Sequence, residues 1–362
     1  MTTQNVVILA RKHLRTMIRM TRLLRRLALQ QAQPWPDTPD TARFDPGHEA
    51  VMMGYDFHLT PNGPRLIEVN TNAGGALMAH TAQHPDQTQP LDPLSRHPQR
   101  LLATFMQEMA LFRQTPRPVI NRMVILDEQP ANQFLYPEMQ ACAALLNAVG
   151  IPCSIHDPAE LRMDASGVTL HGAPVDLIYN RHCDFYLETP SLAGLRAAWL
   201  NRQLCLTPNP RAYALLADKR HLITWSDPDT LLARGVAPDA IRLLTDTIPT
   251  TRLLSTLDRT ALWKERARWV FKPSQGFGGR GVLLGDKISR TRFDSLDGAT
   301  LVQSLVPPPT LRMAPSGTLF KYDIRLFVYR DQILGVAARA YRGQVTNFRE
   351  PGNGFLPVQI SI

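Results

Sequence analysis

Two kinds of apolar spacing alternate along the chain and predict different elements. In the first 36 residues, apolar positions recur at roughly helical spacing among arginines, which predicts an amphipathic helix. These apolar positions are Ile8, Leu9, Leu14, Met17, Ile18, Leu24 and Leu27. Over residues 119–210, short apolar runs alternate with stretches of helical spacing. That alternation predicts an α/β unit whose parallel sheet is covered on its faces.

Shorter elements are predicted between and after these two regions. Strands are expected over 54–59 and 65–69, because Pro, Gly and Asn between them favour a tight turn. Their neighbours are a loop over 33–46, a short helix over 48–53, a polar loop over 84–98 and a helix over 99–114. Later strands are predicted over 123–126, 151–156, 177–180, 269–272, 281–285, 300–306, 323–329 and 332–338. Later helices are predicted over 137–149, 190–203 and 211–224.

Composition limits the classes of protein to which the chain can belong. With 362 residues, 44% of them hydrophobic, it can bury the cores of two or three domains. No apolar run approaches the ~20 residues that span a bilayer. The four cysteines form no CxxC pair and no zinc-binding spacing, so we expect free thiols in a reducing, cytoplasmic compartment.

The net charge of +9 is concentrated at one end. Residues 1–36 carry seven basic residues and no acid, which leaves a net charge of +2 on the rest of the chain. This small remainder argues against broad nucleic-acid binding. For the basic helix, the sequence favours packing on the body with a solvated basic face. An anionic partner, a membrane surface or an organelle transit peptide is the alternative.

A glycine-rich segment directly follows a predicted strand that ends in Lys272. Residues 276–281 formally match GxGxxG, but an apolar strand follows them rather than the helix of a dinucleotide fold. A strand–loop–strand hairpin of this kind can lay backbone N–H groups over phosphates. Protein kinases are excluded, because no HRD or DFG string is present. The alternative is an ordinary flexible hairpin.

Two acids and an amide lie on the predicted hairpin near the N-terminal end. Asp56 lies twelve positions before Glu68, so the two can face the same side of antiparallel strands. Glu68 and Asn70 are two apart and share a face. Carboxylate and amide oxygens are hard ligands that suit Mg²⁺. The alternative is a surface hairpin with solvated acids.

The sequence resembles the ATP-grasp ligases at these motifs. In that superfamily, a Lys within a helix and a second Lys on a strand bind the nucleotide phosphates, and Lys219 and Lys272 match them. The Asp-x-Arg strand matches Asp323-Ile324-Arg325. The residues that the resemblance assigns to ATP are Lys219, Lys272, Ser274, Gln275, Gly276, Gly278, Gly279, Gln303 and Val306. Those that it assigns to one or two Mg²⁺ are Asp56, Glu68 and Asn70.

The order of the motifs departs from most of the family, in which the Glu-x-Asn strand follows the Asp-x-Arg strand. Here it precedes that strand, within residues 54–75, as a circular permutation would place it. Eukaryotic-type glutathione synthetase has a comparable rearrangement. A degenerate family member with a coincidental Glu-Val-Asn is the alternative.

The resemblance implies an α/β (α+β ATP-grasp) fold, with a pre-ATP-grasp parallel α/β domain and a two-lobed ATP-grasp domain, circularly permuted. The expected organisation is a basic helix over 1–35, a permuted C-terminal piece and linker helix over 36–117, the pre-ATP-grasp substrate domain over 118–210, the nucleotide lobe with its glycine-rich lid over 211–306, and the C-terminal lobe over 307–362.

The function implied is an ADP-forming carboxylate–amine ligase that works through an acylphosphate and joins an amino acid or small peptide to an amine. The basic residues expected to stabilise the transferred phosphoryl group are Arg325 and either Arg339 or Arg342. Candidate substrate contacts are Arg181, Asn180 and Asn347. Alternatives are a small-molecule kinase of the same fold and a catalytically silent nucleotide-binding protein. The expected partners are a small carboxylate and an amine; homodimerisation and the identity of the substrates stay open.

Overall fold

The computed structural model describes residues 5–31, 34–84, 91–93, 95–165, 167–274, 276, 281–346, 348 and 350–362. Its α-helices are α1 (Arg11–Gln31), α2 (Asp40–Arg43), α3 (Ala76–Gln83), α4 (Arg96–Arg113), α5 (Tyr136–Ala148), α6 (Ala193–Leu200), α7 (Pro210–Ala212), α8 (His221–Trp225), α9 (Pro228–Ala233), α10 (Pro238–Thr247), α11 (Arg259–Lys264) and α12 (Arg290–Asp294).

Most of the strands are short and belong to three main sheets. They are β1 (Val7–Ala10), β2 (Met53–Thr60), β3 (Gly63–Asn70), β4 (Met123–Leu126), β5 (Cys153–His156), β6 (Leu161–Asp164), β7 (Gly167–Leu170), β8 (Ala173–Pro174), β9 (Leu177–Asn180), β10 (Cys205–Thr207), β11 (Thr251–Leu253), β12 (Trp269–Lys272), β13 (Leu283–Leu284), β14 (Leu301–Ser304), β15 (Thr310–Met313), β16 (Thr318–Tyr329), β17 (Gln332–Tyr341), β18 (Gly354–Leu356) and β19 (Val358–Ser361).

The largest sheet joins an early hairpin to the last strands of the chain. Its order is β18-β17-β16-β2-β3, with β15 paired to β16. The hairpin of β2 and β3 enters through antiparallel pairing of β2 with β16, where Ile324 lies opposite Phe57. Phe57 and Ile324 are both fully buried in one core cluster. The two ends of the sequence therefore build a single sheet around a shared core.

The second main sheet is parallel, as the alternating pattern predicts. Its order is β10-β9-β4-β5, and every pair in it is parallel. The chain passes from β4 to β5 on one side and then returns to β9 on the other, so the strand order reverses between β4 and β9. In open α/β sheets such a reversal leaves a crevice at the carboxyl ends of the strands, where ligands bind.

The third main sheet carries the residues that follow the parallel unit. Its antiparallel order is β11-β14-β12-β13, and Phe271, Phe293 and Val302 pack beneath it in a separate small core. Two minor sheets are the antiparallel β6-β7-β8 and the parallel pair of β1 and β19.

The N-terminal helix packs on the body of the protein, which is the arrangement that the sequence favours. Met17, Met20 and Leu24 on α1 are almost completely buried in the core that also contains the early hairpin. On its basic side, Arg25 pairs with Glu49 and with Asp331, the latter at 3.0 Å. In the described part of the chain, no helix combines the length and apolarity needed to cross a membrane.

Several predicted elements differ from the structure. Residues 7–10 form β1 rather than the start of the helix, and no helix is described over 48–53. Among the elements that the apolar pattern did not predict are α2, α3, β6, β7, β8, β15, β18 and β19. All of them are eight residues or shorter, too short for a periodic pattern to stand out.

The helix predicted over 211–224 is interrupted, and Lys219 lies in the interruption. After α7, a π-helical turn spans Tyr213–Ala217, and Asp218 leaves helical geometry with ψ 120°. The Asp218 carboxylate instead accepts a hydrogen bond from the backbone N–H of Arg220 at 2.9 Å. Asp side chains compete with the helix in this way, and the break directs Lys219 out of the helical register.

A buried carboxylate connects the parallel unit to the large sheet. Glu108 on α4 is fully buried and accepts hydrogen bonds from the Tyr329 hydroxyl at 2.9 Å and the Thr207 hydroxyl at 3.2 Å. His48 Nδ1 lies 2.9 Å from the same carboxylate. These partners come from β16, from β10 and from the segment before β2, so one side chain links three parts of the fold.

We expect Glu108→Ala to lower the free energy of unfolding by about 3–5 kcal/mol, because its buried partners lose their acceptor. Urea unfolding followed by circular dichroism measures the change. Glu188→Ala, at an exposed position, is the control and should change it by less than about 0.5 kcal/mol. Equal effects of the two substitutions would contradict a structural role for Glu108.

Candidate active site

A row of charged residues crosses the large sheet at one level. Arg325 on β16 lies opposite Asp56 on β2, and Asp56 lies opposite Glu68 on β3. Residues opposite one another on antiparallel strands point to the same face. On the other side of β16, Asp323 lies opposite Arg339 on β17. The pairing of four strands therefore gathers these charges on one face.

Asp56 is held between two arginines. Arg325 donates two hydrogen bonds of 2.7 Å to it, one to each carboxylate oxygen. Arg339 Nη2 lies 2.9 Å from Asp56 Oδ2, and Asn70 donates to the same oxygen at 3.1 Å. A β-carbon at Gly54 would lie 3.1 Å from the Arg325 Nε, so glycine there leaves room for the guanidinium.

The Arg339 guanidinium also binds Asp323. It donates to Asp323 Oδ1 at 2.6 Å and to Oδ2 at 2.9 Å, and the Thr346 hydroxyl donates to Oδ2 at 2.7 Å. Burial lowers the pKa of Arg339, but the carboxylates of Asp323 and Asp56 outweigh it and raise that pKa overall. Burial likewise raises the pKa of Asp56, and its two arginines more than reverse the change. Arg339 and Asp56 are therefore both ionised at neutral pH.

Two lysines approach the charged row from other parts of the fold. Lys272 at the end of β12 donates to Gln303 Oε1 at 2.7 Å and to the Ile67 carbonyl oxygen at 3.1 Å. Lys219 Nζ lies 3.3 Å from Glu68 Oε1 and donates to the Gly276 carbonyl oxygen at 2.5 Å. The early hairpin and the two lysines, about 150 and 205 positions apart in sequence, thus meet in space.

Burial also changes the ionisation of Lys272. Its side chain lies almost entirely out of solvent, and this burial lowers its pKa to about 8, with Lys219 lowering it further and Glu68 opposing the change. Its charged form is therefore less favoured than that of an ordinary lysine, and an anion placed beside it would restore that form.

These residues line a cleft of about 290 Å³, here called the first cleft. Apolar side chains cover one end of it, namely Val270, Val282, Leu284, Leu305 and Val306. The other end is strongly charged: five lysines and arginines and four carboxylates line the cleft. The slight excess of positive charge and the apolar end together suit a ligand with a flat ring and an anionic tail.

A second cleft of about 500 Å³ adjoins the first and shares part of its wall. The shared residues are Asn70, Lys219, Arg325, Arg339, Val345 and Thr346. Asp127 and Arg181, which follow the parallel strands β4 and β9, also line the second cleft. A ligand in the second cleft can therefore reach the charged end of the first.

Most of the site residues predicted from the sequence line these clefts. In the first are Asp56, Glu68, Asn70, Lys219, Lys272, Gln303, Val306, Arg325 and Arg339. Gly276 and Arg181 line the second. Gln275, Gly278, Gly279 and Asn347 lie outside the described residues.

Three predicted residues line neither cleft. Arg342 is exposed, and its guanidinium donates to the Pro351 carbonyl oxygen at 2.9 Å, so Arg339 is the basic residue of this strand that faces the site. Asn180 accepts a hydrogen bond from the His182 backbone N–H at 3.1 Å and stabilises the turn after β9. Ser274 is the third predicted site residue that lines neither cleft.

Asp323, His58 and Asp127 also line the clefts, although none of them is among the site residues predicted from the sequence. Asp323 belongs to the Asp-x-Arg strand and could have been found by its alternation with Arg325 on one face. Asp127 directly follows a predicted parallel strand, a position typical of ligand contacts. His58 Nδ1 donates to the Val306 carbonyl oxygen at 2.7 Å, a contact that no sequence pattern indicates.

Comparison with known proteins identifies the fold of the chain. No model of a known protein family matches the chain, and no curated protein matches its sequence. Among solved structures, a proposed gamma-glutamylcysteine synthetase from Methylobacillus flagellatus KT aligns with 94% of this chain and 87% of its own, at 14% identity and a TM-score of 0.55. The chain has the ATP-grasp fold.

Other ATP-grasp structures align over smaller parts. The ligase PsnB with a minimal precursor covers 67% of this chain and 78% of its own, at 16% identity and a TM-score of 0.39. The D-cycloserine synthetase DcsG covers 51% of this chain and 59% of its own, at 19% identity and a TM-score of 0.31. The likeness to the Methylobacillus flagellatus structure confirms the α/β ATP-grasp fold class predicted from the sequence, and the circular permutation stays a prediction.

We expect Asp56→Asn to destabilise this ATP-grasp chain by about 3 kcal/mol or more, because the buried Arg325 loses its anionic partner. Glu68→Gln should cost at most about 1 kcal/mol, since the Glu68 side chain is 25% exposed and pairs only with Lys219 among the described residues. Urea unfolding of the two variants tests the contrast. A small loss for Asp56→Asn would show that the arginine pair does not stabilise the fold.

Proposed function

We propose that this protein is an ATP-dependent carboxylate–amine ligase that releases ADP and works through an acylphosphate. The observation that carries the proposal is the meeting of the Glu68 carboxylate with Lys219 at 3.3 Å, beside Lys272 and Arg339 in one cleft. A metal-binding acid and phosphate-binding cations must stand together if a metal–triphosphate is to bind. The description of the Methylobacillus flagellatus protein as a proposed gamma-glutamylcysteine synthetase agrees with amide-bond formation.

ATP would lie along the first cleft. The apolar end between β13 and β14 would take the adenine ring, and Gln303 at its edge would remain engaged with Lys272. Lys219 and Lys272 would contact phosphate oxygens as point charges. Each would exchange a contact with a protein carbonyl or acid for one with phosphate, which restores the full charge on Lys272.

Magnesium fits the donors of this cleft. Glu68 and Asn70 offer hard oxygen ligands, and the Glu68 carboxylate is partly exposed to the cleft. Asp56 accepts hydrogen bonds from both arginines, so it would orient the site or complete the ligand set. When bound, Mg²⁺ supplies charge neutralisation between the phosphates. The lining groups themselves carry an excess of only one positive charge, too little for a triphosphate.

The remaining residues would act on the transferred phosphoryl group. Arg325 and Arg339 stand at the wall shared by the two clefts, where a carboxylate in the second cleft would meet the phosphates of the first. Their fixed guanidinium groups would stabilise the charge that develops during transfer. The role of residues 274–281 as a lid that excludes water from the acylphosphate is the one that the resemblance implies; of these residues, 275 and 277–280 lie outside the described part of the chain.

We interpret the early position of the hairpin as a circular permutation of the ATP-grasp domain. The pairing of β2 with β16 supports this interpretation, because an element that precedes the parallel unit in sequence completes the sheet of the last strands.

The cleft also allows two other functions. A kinase of the same fold would transfer phosphate without forming an amide, and a catalytically silent protein would bind ATP without turnover.

Incubation with Mg-ATP, hydroxylamine and a panel of amino acids and small carboxylic acids should release ADP and produce an acyl hydroxamate. Only an activated carboxylate yields the hydroxamate, which separates ligase from kinase. Glu68→Gln should reduce both products below about 1% of the wild-type rate while leaving the circular dichroism spectrum unchanged. Asp229→Asn, at an exposed position on α9, is the control. ADP release without hydroxamate would favour the kinase.

Affinity for a non-hydrolysable ATP analogue should weaken by up to about tenfold between pH 7 and pH 9, because Lys272 loses its proton above its pKa of about 8. Lys272→Arg should remove this pH dependence, since arginine stays charged, whereas Lys272→Ala should weaken binding at both pH values. Isothermal titration calorimetry gives the dissociation constants. An identical pH profile for wild type and Lys272→Arg would exclude Lys272 as its source.

A further inference from the structure

Two histidines and a carboxylate cluster at the outer strand of the parallel sheet, away from both clefts. His156 is the last residue of β5, Glu160 ends a short 3₁₀ helix, and His171 directly follows β7. None of the three lines the first or the second cleft. Each offers one ligand atom, and these atoms all lie within 4.8 Å of one another. Imidazole nitrogen and carboxylate oxygen are both ligands of Zn²⁺ in proteins.

Two of the three ligand atoms are already at nearly the spacing that a metal requires. His156 Nδ1 lies 2.8 Å from Glu160 Oε2. In a tetrahedral zinc site with bonds of 2.0–2.1 Å, two ligand atoms are about 3.3 Å apart. The pair would therefore open by only about 0.5 Å for a metal ion to replace the proton between the two side chains.

The other polar atoms of these two side chains are held by hydrogen bonds. His156 Nε2 lies 3.0 Å from the Ser154 hydroxyl oxygen, so it can keep its proton and donate to that oxygen while Nδ1 binds a metal. Glu160 Oε1 accepts a hydrogen bond from the Asp157 backbone N–H at 2.9 Å. Metal-binding histidines and carboxylates are oriented by outer partners of this kind. Both ligands are thus positioned before an ion arrives.

His171 lies in a turn whose backbone favours other residues. It forms the two-residue connection between β7 and β8 together with Gly172, and both have positive φ, 50° and 79°. Histidine does occur with positive φ, but Asn, Asp and Gly favour a two-residue turn of this kind more strongly. The conformation of the turn therefore does not account for a histidine here, whereas a role as a ligand does.

The His171 side chain can complete the site. Its ring lies 6.0 Å from that of His156, centroid to centroid, at an angle of 80°. The longest separation of ligand atoms is at most 4.8 Å and must shorten by up to about 1.5 Å for tetrahedral geometry. Because His171 is exposed, rotation of its side chain can supply this movement without disturbing the core.

The donor set selects the class of ion. Mg²⁺ and Ca²⁺ take oxygen ligands, whereas two imidazoles with one carboxylate suit divalent ions of the first transition row and Zn²⁺. The cluster therefore differs in kind from Glu68 and Asn70 in the first cleft, which offer only oxygen. A zinc site with three protein ligands keeps its fourth position for water.

We propose that His156, Glu160 and His171 form a zinc site, with His156 Nδ1, Glu160 Oε2, one nitrogen of His171 and a water molecule as ligands. This proposal is independent of the proposed ligase function. β5 is the outer strand of the parallel sheet, and β7 and β8 belong to a separate small sheet. The ion would fasten the tip of the β7–β8 hairpin to the end of β5 and stabilise the folded chain.

Calorimetric titration of the chelator-treated full chain with Zn²⁺ tests the site. His171→Asn removes one ligand while keeping a residue that favours the turn, and Glu160→Gln removes another without changing its size. Each should weaken zinc binding by at least about a hundredfold, because loss of an outer partner alone costs ten- to hundredfold. Ser154→Ala, which removes such a partner, should weaken it by roughly tenfold.

Two controls accompany the titration. His13→Ala removes a histidine on α1 and should leave the affinity for Zn²⁺ unchanged. An excess of Mg²⁺ should not displace the zinc, since two of the three protein ligands are nitrogens. Circular dichroism of each variant without metal should match that of the wild type.

Thermal unfolding gives a readout that does not depend on catalysis. Zn²⁺ at about a hundredfold above its Kd should raise the Tm of the wild type by roughly 3 °C and leave that of His171→Asn unchanged. Anomalous X-ray scattering from zinc-loaded crystals should locate the ion between His156 and His171. Equal zinc affinity of wild type and His171→Asn, displacement by Mg²⁺, or an ion located elsewhere would overturn the proposal.

Discussion

The Asp56 carboxylate accepts hydrogen bonds from Arg325, and Arg339 pairs with it at 2.9 Å, at a position that is almost fully buried. A buried carboxylate is tolerated only where such partners compensate for lost hydration. Its partners lie on the last strands of the chain, while Asp56 lies on an early hairpin. The pairing therefore constrains how the two ends of the sequence meet. A slip of one residue would turn Asp56 to the opposite face of the sheet and leave both arginines without this partner.

The same register decides which side chains reach the first cleft. With Asp56 on the cleft face, Glu68 opposite it and Asn70 two residues further along must lie on that face as well. Lys272 then reaches this hairpin from a separate sheet through the Ile67 carbonyl oxygen. The charges that hold the sheets together are thus the charges that the proposed metal–nucleotide would meet. The stability of the fold and the proposed ligand binding would depend on the same buried charged groups.

The second cleft depends on a different constraint, the reversal of strand order in the parallel sheet. That reversal leaves the residues after β4 and β9 beside each other without further strands to cover them. Asp127 and Arg181 occupy these two positions, and their cleft shares Arg325 and Arg339 with the first. The architecture thus sets the second cleft directly against the first.

The sequence by itself determined the local elements and the chemistry available to them. The strands Leu177–Asn180 and Trp269–Lys272 have the predicted bounds, because each is a short apolar run that its own side chains favour as a strand. The ATP-grasp fold was implied by the resemblance of the motifs near Lys272 and Glu68 to that superfamily. Short elements such as α3 contain too few residues for apolar periodicity to predict them.

Only the tertiary structure decided how the charged residues are used. It engages Asp56 with arginines, places Arg339 rather than Arg342 in the lining of the first cleft, and sets Lys219 in a break between helical turns. It also brings Asp127 and Arg181 together. The physical reason is that each of these outcomes depends on pairing register or strand order between segments far apart in the chain. Local propensity carries no information about such contacts.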